Sequence, residues 1–301
     1  MHKIIQSRLK QIGRERLWAR FSDVCFLVAA FLLVFIGVYE AGIKNAQNVY
    51  EDLSEEVSGE ADTEDETEAE ETSDPLGVAE DGTLTALLQL LNVEIPEKNL
   101  DWDALHETNE DIYAWLYVPD VGIDYPVLQD PEDDSYYLLH NLDGSEGYPG
   151  CIYTEATYNS TDFLDPNTVL YGHNMRDDSM FGALHDFDDA EFFNDGNHYI
   201  YIYMEDVTYV YLVFSASEYT SAHVMASNDF STEEGYEAYL ESLLSGSVGR
   251  FSNIREDLSV TTENRIITLA TCTPDSSADY RFLVSGILIN PPADSVSPEF
   301  Q

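Results

Sequence analysis

Positive charge is what this chain has least of. Only 13 Lys and Arg stand against 58 Asp and Glu in 301 residues, a formal net charge of −45. Nucleic-acid binding by phosphate neutralisation needs clustered Lys and Arg, so that class of function is excluded. Cysteine is scarce as well. Three cysteines cannot build a disulfide framework, so the fold must rest on packing. No internal repeat is found. What is plentiful is apolar and aromatic side chain, 44% and 12% of residues, and this excludes wholesale disorder. The length allows one large domain or two small ones, with room for a core.

The charge is unevenly spread, and its distribution predicts the organisation of the chain. Six of the 13 bases lie in the first twenty residues: Lys3, Arg8, Lys10, Arg14, Arg16 and Arg20. Val24 to Tyr39 then runs sixteen residues without a charge. With Phe21, Ser22 and Ala41 to Ile43 it reaches the length of about 20 that a membrane span needs. The prediction is a basic cytoplasmic segment over 1–23 and an uncleaved transmembrane signal anchor over 24–43, the remainder lying outside the cell. A cleavable signal peptide is the rival reading. Gly37-Val38-Tyr39 makes a poor cleavage site, and Tyr39-Glu40-Ala41 is the alternative one. Residues 44–83 read as an acidic disordered linker, because Glu51 to Glu71 holds twelve acids and no base. Such a segment cannot offset the entropy of ordering, and its like charges extend it.

Residues 84–301 read as the folded domain. Leu84 to Leu91 and Trp102 to Glu110 are helix-like, with Asn99 available to cap the second. Strand signals dominate afterwards, in Ile112–Val118, Ile123–Leu128, Cys151–Ala156, Thr168–Tyr171, Tyr199–Met204, Thr208–Ser217, Arg265–Thr271 and Arg281–Ile289. Eight short strands with turns between them predict a mainly-β closed or nearly closed barrel. One late helix, Ser231 to Leu244, interrupts them. Ser231 and Glu234 form a capping-box pattern there, and Tyr236, Tyr239, Leu240, Leu243 and Leu244 form a buried stripe.

Three residues could carry chemistry. Cys272 ends a strand and meets the turn Thr273-Pro274-Asp275, where a rigid strand delivers a nucleophile to an open loop. Burial as a small hydrophobe is nonetheless the commoner fate of a lone strand-end Cys. Cys151 sits in a strand pattern after Gly150. His173 follows the strand ending at Tyr171 and then Gly172, whose freedom lets the backbone turn and exposes the imidazole. The other histidines, His106, His140, His185, His198 and His223, have no supporting pattern. Arg281 opens the last strand and is one of five bases facing 38 acids from Asp101 onward. It could stabilise an oxyanion, or pair with Asp275 or Asp279. Acid clusters such as Asp130-Pro131-Glu132-Asp133-Asp134 lack the spacing of a calcium loop, so neither metal nor cofactor is expected.

Together these residues resemble the sortase family. Thr268-Leu269-Ala270-Thr271-Cys272 matches the TLxTC signature, with Arg281 at a family-like distance. Tyr171-Gly172-His173-Asn174-Met175 is similar to the family's histidine segment. Ser179-Met180-Phe181-Gly182-Ala183-Leu184, Ile123 to Gln129 and the late helix resemble class B in particular. The resemblance covers roughly Leu100 to Asn290. It implies an eight-stranded sortase barrel, preceded by helices and a membrane anchor, and a cysteine transpeptidase. Cys272 would be the nucleophile, His173 the general acid/base and Arg281 the oxyanion stabiliser. Thr271, Ala270 and Asn174 would contact substrate.

The implied substrate is a secreted protein with an LPxTG- or NPQTN-like C-terminal sorting signal. The implied acceptor is an amine of a peptidoglycan precursor or a pilin lysine. Two departures bear on the substrate: Ala270 stands where many class B members have Ser, and Thr271-Cys272-Thr273-Pro274 resembles pilin-polymerising class C. A catalytically silent, membrane-tethered binding module is the non-enzymatic alternative.

Overall fold

The computed structural model describes residues 32–34, 36–38, 40–50, 53, 93–275, 277–292, 298 and 300. The chain forms two units, Met1–Asn48 and Val49–Gln301. The described residues of the first unit are all helical. Among the described residues no helix is long and apolar enough to cross a membrane. The basic segment 1–23 lies outside the described residues, as do half of the expected span 24–43, the helix over 84–91 and nearly all of the acidic stretch from 51 to 71. From Val49 the expected linker belongs to the second unit, where Tyr50 and Leu53 are buried in the core and Val49 packs against it.

Nine strands make one sheet in the second unit. They are β1 (Ile112–Val118), β2 (Ile123–Leu128), β3 (Ile152–Tyr153), β4 (Asn167–Tyr171), β5 (Tyr199–Tyr203), β6 (Thr208–Thr220), β7 (Phe251–Ile254), β8 (Ile266–Cys272) and β9 (Tyr280–Leu288). The order is β5-β1-β2-β3-β4-β8-β9-β6-β7, and β5 also pairs with β6. That extra pairing closes eight strands into the expected barrel and abolishes their free edges. β6 is thirteen residues long and serves two partners along one edge. Its first half meets β5, and Ser215–Glu218 meets β7, so β7 is a ninth strand outside the ring.

The core follows from the strand sequences. β6 and β8 are nearly continuous apolar runs and are buried on both faces. Trp115, Phe163, Phe181 and Tyr211 are fully buried in the main cluster. A second cluster lies under helix α2 (Glu233–Leu244). Tyr236, Tyr239, Leu240 and Leu243 of α2 share it with Val169, Phe214, Ala270 and Leu283 of the barrel wall. Each such side chain contributes roughly 1.5–3 kcal/mol by burial, so the expected stripe fixes the helix to the strands.

Three local expectations shift by a residue or more. Helix α1 (Trp102–Thr108) is capped by Asp101, not Asn99, because the Asp101 carboxylate accepts from Ala104 N at 3.0 Å. Helix α2 is capped by Thr232, whose Oγ1 accepts from Gly235 N. Ser231 is drawn off instead to Asp229, at 2.6 Å. The strand expected over Cys151–Ala156 shrinks to Ile152–Tyr153, which is shared between β2 and β4.

The alternating tyrosines of β5 have a use that lies outside the barrel interior. Tyr201 and Tyr203 donate to the carbonyls of Glu94 and Pro96 and hold the strap 93–100 against the sheet. Lys98 from this strap pairs with Asp124 at 2.8 Å and lies over the Tyr117 ring. It is one of the few cations in the unit, and it serves structure.

Candidate active site

β4 and β8 run parallel, and Tyr171 is level with Ala270. The residues just beyond, Gly172-His173 on one strand and Thr271-Cys272 on its neighbour, therefore leave the sheet at the same end. β9 runs antiparallel to β8 on the other side, with Arg281 opposite Cys272. Three adjacent strands thus bring His173, Cys272 and Arg281 to one rim. Sequence alone left them 99 and nine residues apart, and only the barrel topology joins them.

Cys272 is exposed with a free thiol, whereas Cys151 is free and buried. Cys151 is also poorly placed to react. Burial pushes its thiol up to about 12, and its hydrogen bonds run to Tyr50 and to the His140 carbonyl. Of the two, Cys272 alone stands where a substrate could reach it.

His173 is half-buried, and its Nε2 lies 2.7 Å from the Leu138 carbonyl. A carbonyl only accepts, so Nε2 carries the hydrogen and a neutral ring keeps its lone pair on Nδ1. The Tyr148 ring lies 4.8 Å away. Burial holds the imidazole below its ordinary value of 6.5, the Leu138 contact opposing this, so the ring is neutral at pH 7.

Gly172 earns its place differently from what the sequence suggests. Its φ is not in the left-handed region, and the imidazole after it is not fully exposed. A Cβ here would stand 2.5 Å from Ile152 Cδ1 and 2.8 Å from Phe181 Cδ2. Close packing, rather than turning freedom, excludes a side chain at 172.

Arg281 carries no carboxylate partner among the described residues. Its one hydrogen bond goes to the Tyr280 carbonyl, at 2.8 Å. Arg250 explains why. It bonds Asp275 at 2.9 Å and Glu218 at 2.6 Å, and its guanidinium lies over the Tyr280 ring at 4.4 Å. Asp275 is further occupied by Thr273 Oγ1 and Ser277 N, and Arg250 above all, with these two contacts, holds its carboxyl down at about 2. Of the two acids expected for Arg281, Asp275 is already taken and Asp279 makes no ion pair among the described residues.

The remaining expected site residues divide in two. Ala270 and Thr271 are buried in the barrel wall, and the Thr271 hydroxyl donates to the Gly172 carbonyl at 2.8 Å. That bond ties the end of β8 to the segment that carries His173. Asn174 donates from Nδ2 to the Cys272 carbonyl at 3.0 Å. The same oxygen meets His185 Nε2, also at 3.0 Å. His185 was not singled out by its sequence context, since nothing local in Ala183-Leu184-His185-Asp186 distinguishes it from a surface residue. Among the other histidines, His198 is buried on Asp120, and His140 stacks on Tyr136.

A closed barrel that sets Cys, His and Arg on one rim defines a class of thiol-dependent acyl-transfer protein. Comparisons with known proteins give that class its name. A family model described as the Sortase domain matches residues 116–289. Sortase B of Listeria monocytogenes is 32% identical over 189 residues, covering 62% of this chain and 72% of the relative. The Clostridium perfringens sortase B structure is 31% identical with a TM-score of 0.53, covering 62% of this chain and 98% of that one. A Staphylococcus aureus sortase B–substrate complex is 26% identical with a TM-score of 0.53, covering 69% and 91%. The chain belongs to the sortase family, the cysteine transpeptidases, and is similar to class B members.

Proposed function

We propose that this chain is a class B-type sortase, anchored at the membrane with its barrel outside the cell, that cleaves a C-terminal sorting signal through Cys272. The observation that carries the proposal is the rim itself: an exposed thiol, a neutral imidazole just past the parallel neighbour strand and, opposite, a guanidinium with no carboxylate partner among the described residues. The Staphylococcus aureus relative, whose structure is described as a substrate complex, supports a peptide substrate of the same kind.

In this reading Cys272 passes its thiol proton to the bare Nδ1 of His173, and the resulting thiolate attacks the carbonyl after the signal's Thr. A C–S bond forms, and the negative charge moves to the carbonyl oxygen. The Arg281 guanidinium, with no carboxylate partner among the described residues, stabilises that oxyanion. The tetrahedral intermediate collapses, the C–N bond breaks, and the leaving amine takes the proton from His173 Nδ1, while Nε2 remains bonded to Leu138. The downstream tail departs and the upstream protein stays on Cys272 as a thioester. A second amine then attacks, passes its proton to His173 and releases the thiolate.

That amine belongs to a peptidoglycan precursor or to a pilin lysine. The Thr271-Cys272-Thr273-Pro274 string favours keeping the pilin alternative. The basic and apolar N-terminal segments support the membrane location, because enzyme and lipid-linked acceptor would then share one surface. A peptide library of sorting signals, incubated with the full chain and read by mass spectrometry, tests the proposal. Cleavage after Thr that Cys272→Ala abolishes supports it; cleavage unchanged by Cys272→Ala refutes it.

A further inference from the structure

The Cys272 carbonyl receives two side-chain donors from separate segments. Asn174 Nδ2 comes from the bridge Asn174–Met180, and His185 Nε2 comes from the 3-10 turn Gly182–Asp188. The two segments are pressed together, because a Cβ on Gly182 would lie 2.5 Å from the Met175 carbonyl oxygen. The donors therefore sit on one compact platform beside the nucleophile strand.

His185 holds its position against an energetic penalty. A carbonyl only accepts, so the Nε2 facing Cys272 bears the hydrogen and a neutral ring leaves Nδ1 a bare acceptor. That Nδ1 is buried and meets no donor. An unpaired buried polar atom destabilises the fold. The ring lies 4.6 Å from the Phe282 ring, so an apolar side chain could pack there without the penalty. What the imidazole supplies and an apolar residue does not is the Nε2–H donor to Cys272.

Cys272 is the last residue of β8, and Thr273 already begins the turn. Past that point no strand pairing holds the backbone plane. The carbonyl carbon is bonded to the same Cα that carries the thiol. Fixing the oxygen fixes that peptide plane, and with it the direction of Cα–Cβ.

We propose that His185 is a positioning residue for the nucleophile, clamping the Cys272 carbonyl together with Asn174 so that Sγ is held in one direction of attack. The proposal rests on the reading of Cys272 as nucleophile. The clamp acts through the backbone of Cys272 and so affects the rate of attack on any electrophile, large or small. Its loss appears in kcat and in the alkylation rate of the thiol, and it leaves KM nearly unchanged.

The test compares His185→Gln, which keeps an amide donor at the reach of Nε2, with His185→Leu, which keeps bulk and loses the donor. Both are made in the full chain. The measurements are kcat and KM for a sorting-signal peptide, and the rate of iodoacetamide modification at Cys272 read by peptide mapping. His185→Leu is expected to lower kcat and the alkylation rate by about tenfold, the equivalent of one hydrogen bond of about 1.4 kcal/mol. His185→Gln is expected to recover most of both.

Wild-type kcat in His185→Leu overturns the clamp, as does a change confined to KM. If His185→Leu does not fold, His185→Asn replaces it. Its amide is too short to reach, so it should be impaired where Gln is not, and equal activity of Asn and Gln variants overturns the clamp. Cleavage surviving in Cys272→Ala would refute the nucleophile reading itself. Inactive Cys272→Ala beside wild-type His185→Leu would refute the clamp alone.

Discussion

Arg250, not Arg281, holds Asp275. The Arg250 Nη1 lies 2.9 Å from the Asp275 carboxylate, and Asp275 in turn anchors the turn between Cys272 and Arg281 through Thr273 and Ser277. In a domain with five bases from Asp101 onward, one is assigned to neutralising the turn, and another stands at the rim with no carboxylate partner among the described residues.

This division of labour predicts the behaviour of three variants. Arg281→Lys should lose on the order of 10²-fold in kcat, since a lysine lacks the planar multi-donor fork that meets an oxyanion. Arg250→Ala should also lose activity, because Asp275 is then free to pair with Arg281. Arg250→Ala/Asp275→Asn should regain much of it, as the Asn oxygen can still accept from Thr273 while carrying no charge. Steady-state cleavage of a sorting-signal peptide measures all three. A double variant no better than Arg250→Ala would contradict the account of Arg281.

Gly172→Ala tests the packing beneath His173. The added methyl would press on Ile152 and on the fully buried Phe181. Overpacking of this kind costs roughly 1–3 kcal/mol, and here it also displaces the imidazole. The expectation is a lower urea midpoint with an unchanged slope, together with a larger loss of cleavage than the stability change accounts for. Wild-type stability and activity would show that Gly172 is not packed as described.

The two histidines at the rim also set a pH dependence of stability. Burial lowers both His173 and His185 below 6.5. For His185 the contact with Cys272 and the charges of Asp188, Glu218 and Asp186 oppose the shift without reversing it. As pH falls below 6.5 the unfolded chain takes up protons that the folded chain refuses, so their contribution to stability is present above that pH and lost below it. Thermal midpoints from pH 7.5 to 5.5 should therefore fall less in His185→Gln than in wild type. Parallel curves would show that His185 does not titrate in this way.

Much of the fold was legible because its signals are local. β1 and β2 appear with the bounds that alternation and turn residues predict. The tyrosines and leucines of α2 announce its buried face. The misses are residues whose role depends on distant partners. β7 reads as Phe-Ser-Asn-Ile between Gly249-Arg250 and Arg255-Glu256, and it is a strand only because β6 overhangs β5. Tyr50 lies at the head of an acidic stretch, yet its hydroxyl reaches the Gly150 carbonyl, a hundred residues on.

The site divides in the same way. Cys272, His173 and Arg281 sit at strand ends, which sequence pattern can find. The freedom of Arg281 depends on what Arg250 does, and His185 is placed by a turn that packs on Met175. Neither relationship leaves a trace in local sequence.

The central claim is that Cys272 forms a thioester with a sorting signal. Hydroxylamine resolves such a thioester into a hydroxamate of the upstream peptide, which mass spectrometry detects directly. The account predicts a hydroxamate ending at Thr with wild-type chain and none with Cys272→Ala. Wild-type chain that cleaves the peptide but yields only the free acid at saturating hydroxylamine, or a Cys272→Ala variant that still yields the hydroxamate, would contradict it.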